Sequence, residues 1–130
     1  MTSTQTDIVK SARGLLDRTD PRTAGLWPRA TALLGRQAIE AALADLWKLR
    51  APGVEKCSAR AQLLCLPFYL GDEVLAERVA YAWSALSRGC HQHPYELAPT
   101  SPELLGLLQV ADDCVARVRE IVKMAEVSKQ

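Results

Sequence analysis

Residues 100–125 read TSPELLGLLQVADDCVARVREIVKMA, and this stretch carries the strongest structural signal in the chain. Its apolar residues recur at alternating intervals of four and three, which places them along one side of an α-helix. They are Leu104, Leu108, Ala111, Val115, Val118, Val122 and Ala125. Thr100 and Glu103 have the spacing of a capping box, with Pro102 in the first turn. The pattern predicts a long helix whose packing seam faces either the core of a bundle, the simpler interpretation, or a second copy of the chain.

Upstream of this helix, proline and glycine divide the chain into further pieces with helical apolar spacing. We predict helices over residues 6–17, 28–50, 58–66 and 72–88. Pro28 fits the first turn of the second helix, and Pro67 is expected to stop the short third one. Asp72 is the expected N-cap of the fourth helix, and Gly89 is expected to end it as a left-handed C-terminal residue.

The helix over residues 28–50 has two adjoining apolar stripes, which indicates burial on more than one side. One stripe is Leu33, Leu34, Ala38, Ala41 and Ala42, and the other is Ile39, Leu43, Leu46 and Trp47. This helix is therefore predicted to lie at the centre of the fold. Together the segments predict one all-α domain over residues 1–130, an antiparallel bundle of four to five helices.

Composition agrees with a globular helical domain and excludes a disordered chain. Of 130 residues, 48% are apolar and 24% are charged, and aromatic residues are few. The net charge of +1 excludes a fold-wide basic footprint for nucleic acid, although a local basic patch remains open. Eleven of the 16 cationic residues are arginine, the better side chain for bidentate phosphate contacts.

The four cysteines and the chain start favour the cytoplasm, with no membrane partner. The cysteines form no Cys-x-x-Cys pair, and we expect reduced thiols that mostly fill small core positions. Residues 1–10 are polar and lack the apolar run of a signal peptide. No stretch of the sequence approaches the length of a membrane span.

The segment RGCHQHPY, residues 88–95, is the one place where the sequence suggests chemistry. It holds both histidines of the chain, His91 and His93, between Arg88 and Tyr95. Imidazole transfers protons near neutral pH, and arginine binds phosphate oxygens and stabilises charge that develops on them. An arginine at a helix end and a histidine a few residues later can therefore act on one phosphodiester without a metal or other cofactor.

Structural roles for the same residues remain open. Arg88 lies near a helix C-terminus, where the helix dipole favours a cation, while His93 and Tyr95 can simply pack in a helical corner. A zinc site from Cys90, His91 and His93 is the weakest reading, because its ligands are too close in sequence and lack a supporting pair.

The segment resembles the motif of the HEPN superfamily of small helical-bundle proteins. That motif is an arginine, four to six residues and then a histidine, near the end of the penultimate core helix. Arg88 and His93 match it, and with Tyr95 they resemble the Arg-x4-His-x-Tyr pattern of HEPN toxins paired with MNT nucleotidyltransferase antitoxins. The residue-level resemblance covers eight positions, and the helical layout is similar over most of the chain.

The resemblance implies a metal-independent endoribonuclease that acts on RNA as a homodimer, with Arg and His of both subunits at the site. It implies proton transfer by His93, phosphate binding by Arg88, and products with a 2′,3′-cyclic phosphate and a 5′-hydroxyl. In toxins of this type, the tyrosine of the motif receives AMP from the antitoxin. Tyr95 is then a modification site that controls RNA access.

One position departs from the family pattern. The residue after the motif arginine is usually polar, whereas this chain has Gly89, which removes a hydrogen-bonding group. His91 is a candidate replacement, and Glu40 and Arg36 on the central helix are candidate supporting residues or ordinary salt-bridge partners. The alternatives to the enzyme are a non-catalytic HEPN-like bundle that binds RNA, a nucleotide or a protein, and a helical interaction protein without an active site.

Overall fold

The computed structural model describes residues 2–16, 27–90 and 99–129, and every regular element in these ranges is a helix. The α-helices are α1 (Thr2–Leu16), α2 (Trp27–Arg50), α3 (Ala59–Leu70), α4 (Glu73–Cys90) and α5 (Ser101–Ser128). A one-turn 3-10 helix, Val54–Lys56, lies between α2 and α3. The predicted all-α class is confirmed.

Capping side chains begin three helices at the residues that the sequence predicts. The Ser58 hydroxyl accepts a hydrogen bond from the Ala61 N–H at 3.2 Å, and Asp72 Oδ1 accepts one from the Leu75 N–H at 3.0 Å. Thr100 Oγ1 accepts the Glu103 N–H at 3.3 Å. Each cap satisfies one of the N–H groups that a helix start leaves without a backbone partner.

Two helices, α1 and α3, differ most from their predicted bounds. α1 begins at Thr2 rather than Thr6, and its early residue Gln5 is buried and donates a 2.7 Å hydrogen bond to Asp45. α3 continues through Pro67, which was expected to stop it. Proline removes one hydrogen bond from a helix, but Leu66 and Leu70 on either side are fully buried. Their packing offsets the missing bond.

Gly89 lies inside α4 and does not have the predicted left-handed conformation. The residue is buried, and a Cβ atom there would lie 3.0 Å from Cβ of Ala32 and 3.3 Å from Cγ of Pro99. The expectation of a C-terminal cap was wrong because the glycine serves a different purpose. It lets the last turn of α4 approach α2 closely.

The helices α2 and α5 pack against each other, and both contact α1 and α4. α1 is antiparallel to α2, because Gln5 at its start bonds Asp45 near the end of α2. It is also antiparallel to α5, because Thr6 bonds Arg119 while the later Arg13 pairs with the earlier Asp112. The helices α2 and α5 therefore run in the same direction. Gly89 at the end of α4 lies against Ala32 near the start of α2, so α4 is antiparallel to α2. Because α1 and α4 both pack on the central pair but share few contacts, they lie on opposite sides of it.

The core confirms the predicted central place of α2, which contacts all four other α-helices. Six of the nine residues in its two stripes are buried: Ala38, Ala42, Ile39, Leu43, Leu46 and Trp47. Leu33, in contrast, is 43% exposed. At Gly35 a Cβ atom would lie 2.9 Å from Leu108 and 3.3 Å from Leu86, so this glycine allows three helices to meet closely.

The seam of α5 faces the interior of its own bundle. Leu104, Leu108, Ala111, Val115 and Val118 are buried within the single chain, and Val122 and Ala125 are half-buried. The simpler interpretation of the seam is therefore confirmed. Since these side chains already pack on α1, α2 and α4, the seam does not support the predicted homodimer.

Candidate functional site

Three of the six residues predicted for the site lie within the part of the chain that the structure describes. These are Arg88 on α4, and Arg36 and Glu40 on α2. His91, His93 and Tyr95 fall outside the described residues.

Arg88 lies in the last turn of α4, and its side chain is exposed. It makes no hydrogen bond or ion pair with any residue that the structure describes. The sequence places a cation at this helix end, where the dipole of α4 favours it. The guanidinium nevertheless keeps its N–H donors available for an external oxygen acceptor.

Arg88 lines an open groove of about 1000 Å³ between α4 and α5. The α4 wall includes Glu77, Arg78, Tyr81, Ala85 and Arg88. The α5 wall includes Pro102, Glu103, Gly106, Leu107 and Val110. Small residues leave space between the walls, and they are Ala85, Gly89, Pro99, Pro102 and Gly106.

The rim of the groove is mixed in charge. Arg78 pairs with Asp113 of α5 at 2.9 Å, which neutralises one cation and ties the two walls together. Glu77 and Glu103 contribute carboxylates. Arg88 is therefore the one cation of the described lining that lacks an ionic partner.

Arg36 and Glu40 form a separate polar cluster with Trp83 of α4. Arg36 Nε lies 2.8 Å from Glu40 Oε1, and Trp83 donates its indole N–H to the same oxygen at 3.1 Å. The Arg36 guanidinium also lies over the Trp83 ring, 5.4 Å from its centroid. The hydrogen bond to Glu40 raises the pKa of Arg36 above its usual value.

Cys90 belongs to the same cluster. Its carbonyl oxygen accepts a hydrogen bond from Arg29 Nε at 3.2 Å. Burial raises the pKa of the Cys90 thiol, while the positive charges of Arg36 and Arg29 act in the opposite direction and lower it. We call Arg29, Arg36, Glu40, Trp83 and Cys90 the α2–α4 cluster.

The α2–α4 cluster and Arg88 occupy different sides of α4. Trp83 and Cys90 are seven residues apart, close to two helical turns, so they share a face. Arg88 is rotated from Trp83 by about 140° and from Cys90 by about 160° around the helix axis. The structure thus groups Arg36 and Glu40 with Trp83 and Cys90, and not with Arg88.

Gly89 separates the two sides at the end of α4. The space around its missing Cβ atom is bounded at 3.0 Å by Ala32 and at 3.3 Å by Pro99. A Cβ atom at this position is in tighter contact than most side chains make, so Ala32 or Pro99 must move by a few tenths of an ångström to admit any other residue. A glycine at this position is therefore consistent with the close packing of α4 on α2.

Sequence reasoning did not identify Tyr81 or the groove. Tyr81 is 67% exposed on the α4 wall. A signal was present, because Arg78, Tyr81, Ala85 and Arg88 follow a 3-4-3 spacing that places them on one helical face. The spacing does not reveal that α5 leaves this face open.

The described residues hold neither a metal-binding group nor a helix suited to span a membrane. Among the described residues, no three histidine, cysteine or acidic side chains are grouped as a metal ion requires; the zinc reading involves His91 and His93, which lie outside them. None of the described helices combines the length and the apolarity that a membrane span needs.

Comparisons with protein-family models, with curated proteins and with solved structures find no significant match to this chain. The resemblance to the HEPN superfamily therefore rests on residues 88–95 and on the helical layout.

Proposed function

We propose that this protein is a cytoplasmic, metal-independent endoribonuclease of the HEPN toxin type, which cleaves RNA in a site that two subunits share. The observation that carries the proposal is that the Arg88 guanidinium is available to bind a phosphate. This residue is exposed, lies at an open groove and has no partner among the described residues. It also precedes His93 by five positions, as the motif requires.

The proposed reaction is an internal transfer at one phosphodiester. His93 takes the proton of the ribose 2′-hydroxyl as its oxygen attacks the adjacent phosphorus. Arg88 binds the non-bridging oxygens, where negative charge increases in the transition state. The bond from phosphorus to the 5′-oxygen breaks, and that oxygen takes up a proton. The products are a 2′,3′-cyclic phosphate and a 5′-hydroxyl, and no cofactor takes part.

The proposed partner that controls this reaction is an MNT-type nucleotidyltransferase. AMP attached to Tyr95 would add negative charge and bulk next to the phosphate-binding arginine. Either effect opposes the approach of RNA. His91 would supply the hydrogen-bonding group that Gly89 lacks.

The direct test is incubation of the purified protein with total RNA in excess EDTA. We expect fragments with 5′-hydroxyl ends and 2′,3′-cyclic phosphates, and a loss of at least about a hundredfold in rate for His93→Ala. Circular dichroism of the variant controls for folding. Cleavage that needs a divalent ion, or that persists in a folded His93→Ala protein, would contradict the proposal.

A second candidate function is supported by Gly89. Its position is filled by helix packing, so the motif lacks one polar group at the proposed site. A non-catalytic bundle that binds RNA, a nucleotide or a protein partner needs Arg88 but not the complete motif. RNA binding without cleavage in the same assay would favour this candidate.

A further inference from the structure

We propose that the α4–α5 groove binds single-stranded RNA, with one unstacked base against the ring of Tyr81 and a neighbouring phosphate on Arg88. The inference rests on the proposed function, since it takes RNA as the substrate. It adds the form of the RNA that is bound and a residue that determines binding.

Tyr81 has the properties of a stacking surface. Its side chain is 67% exposed although it is large and aromatic, and it stands on the groove wall. Water contacts most of the ring in the free protein, so a base that covers it removes apolar surface from water. Every base has a flat face, so stacking of this kind tolerates different sequences.

The distance between Tyr81 and Arg88 suits adjacent parts of one strand. They are seven positions apart, which places both on the same face of α4, about 10 Å apart along its axis. The intervening wall residue is Ala85, whose small side chain leaves the path between them open. A strand that runs along α4 can therefore meet the ring and the guanidinium with consecutive chemical groups.

The opposite wall offers space and apolar contact for a base and its sugar. Gly106 has no atom within 4 Å of the Cβ position, and Leu107 and Val110 add apolar surface. The volume of about 1000 Å³ is at the upper end of the range for pockets that hold drug-sized ligands, about 300–1000 Å³.

The charges of the groove favour a single strand over a duplex. Arg78 is already paired with Asp113, so Arg88 is the cation available for a phosphate. Glu77 and Glu103 repel the phosphates of either form of RNA, but their oxygens can accept hydrogen bonds from base amino groups, which are free only when the base is unpaired. Binding should therefore involve few phosphates and depend weakly on salt.

The test is the affinity for a fluorescein-labelled, twelve-nucleotide, single-stranded RNA, measured by fluorescence anisotropy. The RNA carries 2′-O-methyl groups throughout, so it cannot undergo the cleavage reaction. We expect Tyr81→Leu to bind about tenfold more weakly, and Tyr81→Phe to bind like the parent protein. The control is Phe68→Leu, which removes an aromatic side chain that is 86% exposed on α3 and lines no part of the groove.

A second pair of variants probes the groove itself. Gly106→Glu adds a carboxylate to the α5 wall, and Gly14→Glu adds the same group to α1, where the Cβ position is equally open. Weaker binding is expected only for Gly106→Glu. The logarithm of the association constant should fall with the logarithm of the salt concentration with a slope of about −0.7, as expected for one phosphate contact on a single strand. A duplex of the same sequence should bind at least about tenfold more weakly.

The outcomes separate this inference from the proposed function. If the parent protein cleaves RNA in EDTA but Tyr81→Leu and Gly106→Glu bind the modified strand normally, the groove is not the binding surface, and the endoribonuclease proposal stands. If the parent protein neither cleaves RNA nor binds the strand, both proposals fail. Equal affinity for duplex and single strand would overturn the inference about the form of the RNA.

Discussion

The two sides of α4 differ in how their polar groups are satisfied. On the side that faces α2, one Glu40 oxygen accepts hydrogen bonds from Arg36 and Trp83, and the Cys90 carbonyl accepts one from Arg29. On the groove side, Arg88 has no partner among the described residues. An arginine that is already paired and stacked contributes mainly to packing, whereas an unpaired one in a groove is available to a ligand. The groove side is therefore where we expect a ligand to bind.

Gly89 lets the end of α4 pack closely on α2, and its replacement should have the largest effect on stability. Gly89→Asn should lower the free energy of unfolding by about 2 kcal/mol, because its Cβ atom would lie 3.0 Å from Ala32 and 3.3 Å from Pro99 and would push α4 away from α2. Urea denaturation measures the change. Gly14→Asn is the control, since nothing lies within 4 Å of its Cβ position, and should change stability by less than about 0.5 kcal/mol.

The same variant tests whether packing requires the glycine at position 89, where the HEPN motif usually has a polar residue. If Gly89→Asn is as stable as the parent protein and cleaves RNA faster, the end of α4 is not packed on α2 as described. The glycine would then be a loss from the site and not a requirement of the bundle.

A smaller effect concerns the reactivity of Cys90. Because Arg36 lowers the pKa of this thiol against the larger effect of burial, Arg36→Met should raise the pKa further. Less thiolate is then present near pH 8, and alkylation of Cys90 by iodoacetamide should slow by a few-fold. Peptide mass spectrometry follows each cysteine separately, and Arg88→Met is the matched control. A similar slowing in both variants would mean that Arg88 also acts on the α2–α4 cluster.

Local signals in the sequence predicted the fold well. Ser58, Asp72 and Thr100 begin helices as expected, because a cap is made by residues within one turn of each other. Pro67 and Gly89 were misread as helix ends for the opposite reason. Their roles depend on burial of Leu70 and on the approach of Ala32, which are tertiary contacts that the local pattern does not contain.

The cysteines show the same limit. Cys114 is buried in the core, which raises the pKa of its thiol to about 12 and agrees with the expected core filling. Cys57 is exposed at the end of the 3-10 helix, and Cys65 and Cys90 are only partly buried. Composition predicts the usual environment of a cysteine and not the environment of a particular one.

The candidate site was predictable in part. Arg88 could be selected from the sequence because a motif and a helix end coincide there. The grouping of Arg36 and Glu40 with Trp83 could not, since it depends on the rotation of α4 against α2. The groove was missed because its existence depends on the distance between α4 and α5. His93 and Tyr95 remain predictions outside the described residues.

The most direct test of the account compares two arginine variants of equal chemistry in RNA cleavage in EDTA. Arg88→Met and Arg36→Met remove the same charge from opposite sides of α4. We predict that Arg88→Met loses at least about a hundredfold in rate, as expected when a group that stabilises transition-state charge is removed. Arg36→Met should stay within about threefold of the parent protein, since its guanidinium is engaged by Glu40 and Trp83. Equal losses in the two variants, or a larger loss in Arg36→Met, would contradict the assignment of function to the groove side of α4.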